Sequence, residues 1–272
     1  ALVKKMIASE TIGCISVICS DKTGTLTENK MTVKSFYDTA WHKEANELSN
    51  EYLTHNICLN TTADIGDKGE FIGNPTECAM LNFFNASSKK TYKEERADHE
   101  ILSAFPFSSE LKHMTTISNV DGKIISYVKG SPECVLKMCN ISAKRKDEIE
   151  EAIVSAEKKA MRVIAFAHKE LDSMRDYSEE NEHNKLESEM VLDGVVAIAD
   201  PVRADVYDAV KSCQSAGVGV KILTGDNIVT ASAIADELHL LDNGGIAVGA
   251  KEIEEMSDDE LSSKLDKIGV IA

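Results

Sequence analysis

Residues Asp21-Lys22-Thr23-Gly24-Thr25-Leu26-Thr27 gather a carboxylate, an amine, three hydroxyls and a glycine into one short stretch. An apolar run with Ile15, Val17, Ile18 and Cys19 precedes it and stops at the aspartate. That pattern puts a carboxylate at the mouth of a buried strand. Such a group can cap a loop, ligate magnesium, or attack a phosphoryl group to give an acyl phosphate. Phosphoryl transfer needs a metal, donors around the equatorial oxygens and a lysine, because its transition state is mostly charge to be neutralised and positioned. Gly24 lets backbone N–H groups approach, and Thr224-Gly225-Asp226-Asn227 offers a second hydroxyl, glycine and carboxylate at another strand end. No Gly-x-x-x-x-Gly-Lys-Ser/Thr stretch occurs, which excludes a Walker-type nucleotide site.

The elements that must position these groups fall into three stretches, 1–33, 34–199 and 200–272. The first holds the strand and loop just described. In the second, charged, loop-like stretches at 87–100 and 172–189 separate short strand patterns. Runs at 114–120 and 123–129 flank Asp121-Gly122, the pair that favours a type I′ hairpin, so Lys129 falls at the end of a strand. Two helix starts are punctuated: Ser131 as cap before Pro132, and Asn74 before Pro75 with Glu77 at the capping-box position. Residues 144–160 form an amphipathic helix pattern with Ile149, Ala152, Ile153, Ala156 and Ala160 on one face, leading into a strand at 162–168.

From about Val191 strands alternate with helices, the pattern of a doubly wound parallel sheet. Its first two strands end at Asp200-Pro201 and at Thr224-Gly225-Asp226, as the N-terminal strand ends at Asp21. Ligands of such sheets collect outside the carboxyl ends of the strands, so the three acidic ends are expected to share one crevice. The simplest architecture is a parallel α/β domain interrupted by an inserted α+β domain with an antiparallel sheet. The final Lys267-Ile268-Gly269-Val270-Ile271-Ala272 looks like a strand entering a sheet, and the chain reads as an excised fragment.

Composition narrows the partners. At 272 residues and 43% hydrophobic content the chain can bury a sizeable core, while a formal charge of −16 opposes nucleic acid and anionic membrane surfaces. Any bound phosphate must meet a local cationic pocket. The seven cysteines show no Cys-x-x-Cys spacing and read as reduced core thiols; the histidines show no metal-ligand spacing, so no zinc is expected. No apolar run approaches the roughly 18 residues of a membrane span.

The 21–27 stretch matches the phosphorylation motif of P-type cation-transporting ATPases. Four further segments match: FPFSSELKHM (105–114), KGSPE (129–133), DPVR (200–203) and TGDN (224–227). The resemblance covers essentially the whole chain and is closest to the calcium pumps, at 10–33 and 200–227 above all. It implies a haloacid-dehalogenase-like phosphorylation domain around an inserted nucleotide-binding domain. Asp21 would be phosphorylated by ATP next to Lys22, Asp21 and the Thr23 carbonyl would take Mg²⁺, and Thr224, Gly225 and Asp226 would hold the transferred phosphoryl group. Phe107 would stack on adenine with Glu77 facing its amine; Lys112, Lys129 and Gly130 would line the pocket. Arg162 would meet the phosphate chain, and Arg203, at a hinge near Lys34 and Asp200, the ribose or phosphates. Implied partners are transmembrane and actuator domains of the same full-length chain and a cation, Ca²⁺, bound outside this segment, at the cytoplasmic face of a membrane.

Two departures from the family pattern stand out. Ser109 and Leu111 occupy a segment where animal calcium pumps commonly carry arginines, which predicts weak nucleotide affinity. The family's Gly-Asp-Gly-x-Asn-Asp segment does not occur, so little ATP turnover is expected from this chain alone. Other readings are a haloacid-dehalogenase-superfamily phosphatase and a nucleotide-binding module without catalysis. Such phosphatases carry a second aspartate two residues after the nucleophile as general acid and base, and here that position is Thr23. Residue by residue, Glu77 also suits a helix cap, Phe107 a core, and Lys112 and Arg162 a solvated surface.

Overall fold

A computed structural model describes residues 13–43, 48–177 and 184–272. The chain divides into two compact units, Ala1–Asn29 with Asp200–Ala272, and Lys30–Ala199. Among the described residues the first strand is β1 (Val17–Ser20), in the smaller unit, and the chain then runs through the larger one.

The larger unit contains, in order, β2 (Thr32–Tyr37), β3 (Trp41–His42), α1 (Glu51–Leu59), β4 (Asp64–Ile65), β5 (Phe71–Ile72), α2 (Pro75–Ser87) and α3 (Tyr92–Ala97). There follow β6 (Glu100–Phe105), β7 (His113–Val120), β8 (Lys123–Gly130), α4 (Pro132–Met138), α5 (Ala143–Glu157), β9 (Arg162–Leu171) and β10 (Val191–Ala199). Seven of its strands form one sheet in the order β3-β2-β10-β9-β8-β7-β6, antiparallel throughout. Helices cover both faces. Phe36, Phe166, Val196 and Ile198 pack with Leu53 and Ile57 of α1 and Leu81 and Phe84 of α2. On the other side Val128, Ala165, Val195 and Ala197 meet Val135 of α4 and Ile149 and Ile153 of α5. The alternation along β10 follows from the period of two in a strand.

That double burial corrects the reading of residues 191–201. The segment was expected to be a strand of the parallel sheet; it is β10, antiparallel to both β9 and β2. A strand covered on both faces is a continuous apolar run whichever way its neighbours point, so its composition does not reveal their direction. Local punctuation was a better guide. Asp121 and Gly122 have φ of 50° and 84°, as a type I′ turn requires, and the hairpin pairs Met114 with Lys129. Asn74 caps α2 through Thr76 N at 2.9 Å. Ser131 precedes Pro132 as expected but makes no side-chain cap. Helix α5 ends at Glu157, and Ala160 lies beyond it with φ of 55°. The 87–100 stretch, read as loop, contains α3, opened by a capping box of Thr91 and Glu94. Part of the expected 172–189 loop, residues 178–183, lies outside the described residues. Of the cysteines, Cys58 and Cys78 are buried, whereas Cys14 and Cys19 are exposed.

A buried amide network fastens α1 to the sheet. Asn56 Nδ2 donates to the carbonyls of Val128 and Ala167 at 3.0 and 3.1 Å; Asn60 Nδ2 donates to Asn56 Oδ1 at 3.0 Å, and Thr116 Oγ1 to Asn60 Oδ1 at 2.8 Å.

The chain then returns to the smaller unit with α6 (Ala204–Ser215), β11 (Gly219–Leu223), α7 (Ile228–Glu237), β12 (Ile246–Val248), α8 (Ala250–Glu255), α9 (Asp258–Lys264) and β13 (Ile268–Ile271). Its sheet has the order β1-β11-β13-β12, and every pairing is parallel. Val206 and Val210 of α6 and Ala231 and Ile234 of α7 pack on Ile222 and Val270. Fully buried Asn56 offers a test: Asn56→Ala leaves two carbonyls and the Asn60 amide short of a partner, and should cost about 1–3 kcal/mol. Chemical denaturation should show a lower midpoint with an unchanged slope.

Candidate functional site

Strand β1 ends at Ser20 and delivers Asp21 to the surface. The chain then folds back tightly. Lys22 N donates to Asp21 Oδ1 at 2.7 Å, Thr27 N donates to Lys22 O at 3.1 Å, and Gly24 sits at φ of 73°, a conformation glycine takes without strain. Folding back buries Lys22, Leu26 and Thr27 while Asp21, Thr23 and Gly24 remain exposed.

The residues after β11 meet this loop. Thr224 N donates to Ile271 O at 3.0 Å, which holds Thr224-Gly225-Asp226 at the carboxyl end of the strand beside β1. Lys22 Nζ lies 2.9 Å from Asp226 Oδ2, and Thr23 Oγ1 donates to the same oxygen at 2.8 Å. Thr224 Oγ1 lies 3.3 Å from it and accepts from Asp226 N at 3.2 Å. The hydrogen bond from Lys22 holds the Asp226 carboxyl below its ordinary value, with further help from Thr23 and against a partial desolvation. Thr27 Oγ1 donates to Asp200 Oδ2 at 2.6 Å, and Arg203 N to Leu26 O at 2.9 Å. Asp226 and Asp200 are therefore both tied to the loop that Asp21 opens. Asp200, however, follows an antiparallel strand. The role of Thr27 was not anticipated, although it closes the motif itself.

The larger unit has a cleft of about 550 Å³ between the start of α2, the β8–α4 junction, the start of β9 and Phe107. It brings together six of the expected residues: Glu77, Phe107, Lys112, Lys129, Gly130 and Arg162. Glu77 is not in a capping box. Its Oε1 lies 2.5 Å from Lys129 Nζ and its Oε2 accepts from Thr62 Oγ1 at 3.1 Å, with the two charged side chains only 10% and 6% exposed. Burial pushes the Lys129 pKa down, and the Glu77 carboxylate opposes that shift. Gly130 is required by packing: a Cβ there would lie 2.5 Å from His113 Cβ and from Lys112 O. Phe107 is 59% exposed, an aromatic face on the cleft wall. Arg162 Nη1 donates to Thr76 Oγ1 at 2.8 Å, and Lys112 Nζ pairs with Glu133 at 3.3 Å on the surface. Arg203 belongs to the smaller unit, where its guanidinium grips Asp205 through two bonds of 3.1 Å. Thr62 and Thr76 were missed, since single threonines far apart in sequence carry no signal.

An open aromatic face, cations and one buried carboxylate make a donor set that fits a nucleotide: a base to stack, an exocyclic amine to accept from, and phosphates to neutralise. The pattern that defines the P-type ATPase cytoplasmic domain N matches residues 48–205. The chain belongs to the P-type ATPase family. Among relatives of this P-type ATPase chain, Calcium-transporting ATPase 1 of Lactococcus lactis is 33% identical over 286 residues, covering all of this chain and 32% of the relative. Calcium-transporting ATPase PAT1 of Dictyostelium discoideum is 33% identical over 293 residues, again across the whole chain and 26% of its own length. A putative plasma membrane-type calcium-transporting ATPase 11 of Arabidopsis thaliana is 34% identical over 297 residues, 28% of its length. The chain thus spans about a quarter to a third of these relatives. Among the described residues no helix is long and apolar enough to cross a membrane.

The two ion pairs make separable predictions. Lys129→Met strands the Glu77 carboxylate in a buried position and should destabilise the chain by about 3–5 kcal/mol, most of it recovered by adding Glu77→Gln, as read by denaturant unfolding. Folded Asp226 titrates below its ordinary 3.8, so the stability from its pairing is fully present above that value and is lost as pH falls through the folded pKa. In Lys22→Met the acid limb of a stability-versus-pH curve should flatten.

Proposed function

We propose that this chain is the ATP-binding and phosphoryl-accepting part of an ATP-driven calcium pump. The carrying observation is the convergence of Lys22 Nζ and Thr23 Oγ1 on Asp226 Oδ2 beside the exposed Asp21, at the ends of two adjacent parallel strands. In this reading the smaller unit is the haloacid-dehalogenase-like phosphorylation domain and the larger one the nucleotide-binding domain. ATP lies in the cleft with adenine against Phe107 and its amine toward Glu77. Lys129, Lys112 and Arg162 offset phosphate charge, and Arg203 reaches the ribose or phosphates once released from Asp205.

Asp21 attacks the γ-phosphorus, the bond from phosphorus to the β–γ bridging oxygen breaks, and ADP leaves. Lys22, Thr224 and the Gly225 backbone offset the charge on the transferred group. Asp21 and the Thr23 carbonyl are hard oxygen donors of the kind Mg²⁺ takes; when bound, that ion neutralises phosphoryl charge. Thr23 stands where a phosphatase needs its general base, and its hydroxyl is engaged by Asp226. An acyl phosphate without a base to activate water persists, which suits energy transduction rather than hydrolysis. The calcium assignment is supported by the similarity to calcium-transporting ATPases; the ion itself would bind in membrane helices of the full-length protein.

The full-length protein incubated with γ-labelled ATP, Mg²⁺ and Ca²⁺ should take up one hydroxylamine-labile label. Asp21→Asn should abolish it, and withdrawal of Ca²⁺ should prevent it. Label that survives Asp21→Asn would sink the mechanism; label indifferent to Ca²⁺ would sink the calcium assignment. Phe107→Ala should weaken ATP binding by roughly tenfold, the loss of about 1–1.5 kcal/mol of stacking, as read by calorimetry.

A further inference from the structure

Away from both sites, the side chains of His55 on α1, Glu95 on α3 and His99 just beyond α3 converge on one point. His55 Nε2 lies 3.2 Å from Glu95 Oε1, and His99 Nε2 lies 3.4 Å from the same oxygen. One ligand atom from each residue lies within 4.8 Å of the others, the one group of this kind among the described residues. Metal–ligand bonds of about 2.0–2.1 Å in a tetrahedron put neighbouring ligand atoms roughly 3.3 Å apart, so two of the three edges already have the required length. The third, between the two imidazoles, is no longer than 4.8 Å. The side chains are only 14%, 12% and 9% exposed, which shields them from bulk water.

We propose that His55, Glu95 and His99 bind one divalent transition-metal ion of the zinc class. Two imidazole nitrogens and one carboxylate select such an ion over Mg²⁺ or Ca²⁺, which take oxygen ligands. The outer contacts agree. With a metal on Nε2 the His55 proton resides on Nδ1, which then donates to Tyr127 Oη at 3.3 Å, the second bond that orients a ligating histidine. One contact opposes the site: Lys90 Nζ lies 3.8 Å from Glu95 Oε2, although it also bonds Asp98 at 2.8 Å and can turn wholly to that partner. A bound ion would clamp α1 to α3. Helix α1 leads through Thr61 into Thr62, which bonds Glu77, so the clamp would stiffen one wall of the nucleotide cleft. The histidines are 44 positions apart, beyond the reach of any spacing motif.

Co²⁺ titrated into the reduced 272-residue chain tests this by visible spectroscopy, followed by competition with Zn²⁺ and with millimolar Mg²⁺ and Ca²⁺. One equivalent should bind with nitrogen- and oxygen-type d–d bands and no thiolate charge-transfer band. Zn²⁺ should displace it, whereas Mg²⁺ and Ca²⁺ should not. His55→Gln and His99→Gln should each weaken binding at least tenfold while circular dichroism stays unchanged; His99 lies outside α1, so its variant remains informative if His55→Gln unfolds. A thiolate band, unchanged affinity in folded His99→Gln, or displacement by Mg²⁺ or Ca²⁺ would overturn the site, as would no binding at millimolar Co²⁺.

Discussion

A buried ammonium must have an anion beside it, and the Lys129–Glu77 pair meets that constraint at the floor of the cleft. The rest of the larger unit is arranged so that it can. The Asp121-Gly122 turn sets the register of β7 and β8 and places Lys129 across from Met114, facing the helical layer. Asn74 and Pro75 start α2 so that Glu77 falls in its first turn, where a carboxylate also suits the helix dipole. Gly130 allows the β8 backbone to lie against His113 at a distance no side chain would permit. Each device is local, and together they bring one charge to the other.

The smaller unit solves a related problem differently. Lys22 is buried by the loop that follows Asp21, and its partner comes from a strand end far along the chain. The outcome is asymmetric: Asp226 is gripped by an amine and a hydroxyl, Asp200 is held by Thr27, and Asp21 remains exposed. In the proposed mechanism the attacking carboxylate needs an open face, while its neighbours are best held in place. Preorganised donors cost no rearrangement when charge develops beside them.

What could be read in advance followed how local its cause was. The hairpin, the Asn74 cap and the buried face of α5 each depend on residues a few positions apart, and each formed where expected except that Ala160 falls beyond the helix. The direction of β10 depends on which strands flank it, and nothing within 191–199 encodes that. Helix α3 was hidden by its charge: four of its six residues are charged and Tyr92 is its one buried side chain, which leaves only the Thr91–Glu94 capping box to mark it. Arg203 matched a motif, but which anion it grips is a matter of geometry, and in this structure it is Asp205.

By itself the sequence determined the chemical inventory of the site and the order of its parts. Seven consecutive residues from Asp21 carry a carboxylate, an amine and three hydroxyls, and turn and cap residues mark where several strands and helices must begin or end. Only the tertiary structure decided which of those groups meet. Thr23 and Asp226 are 203 positions apart, Glu77 and Lys129 lie on a helix and a strand with no shared period, and Thr27 reaches Asp200 from 173 positions away. Contacts of that separation are set by how sheets and helices pack. Packing is a property of whole faces, which no single stretch of residues records.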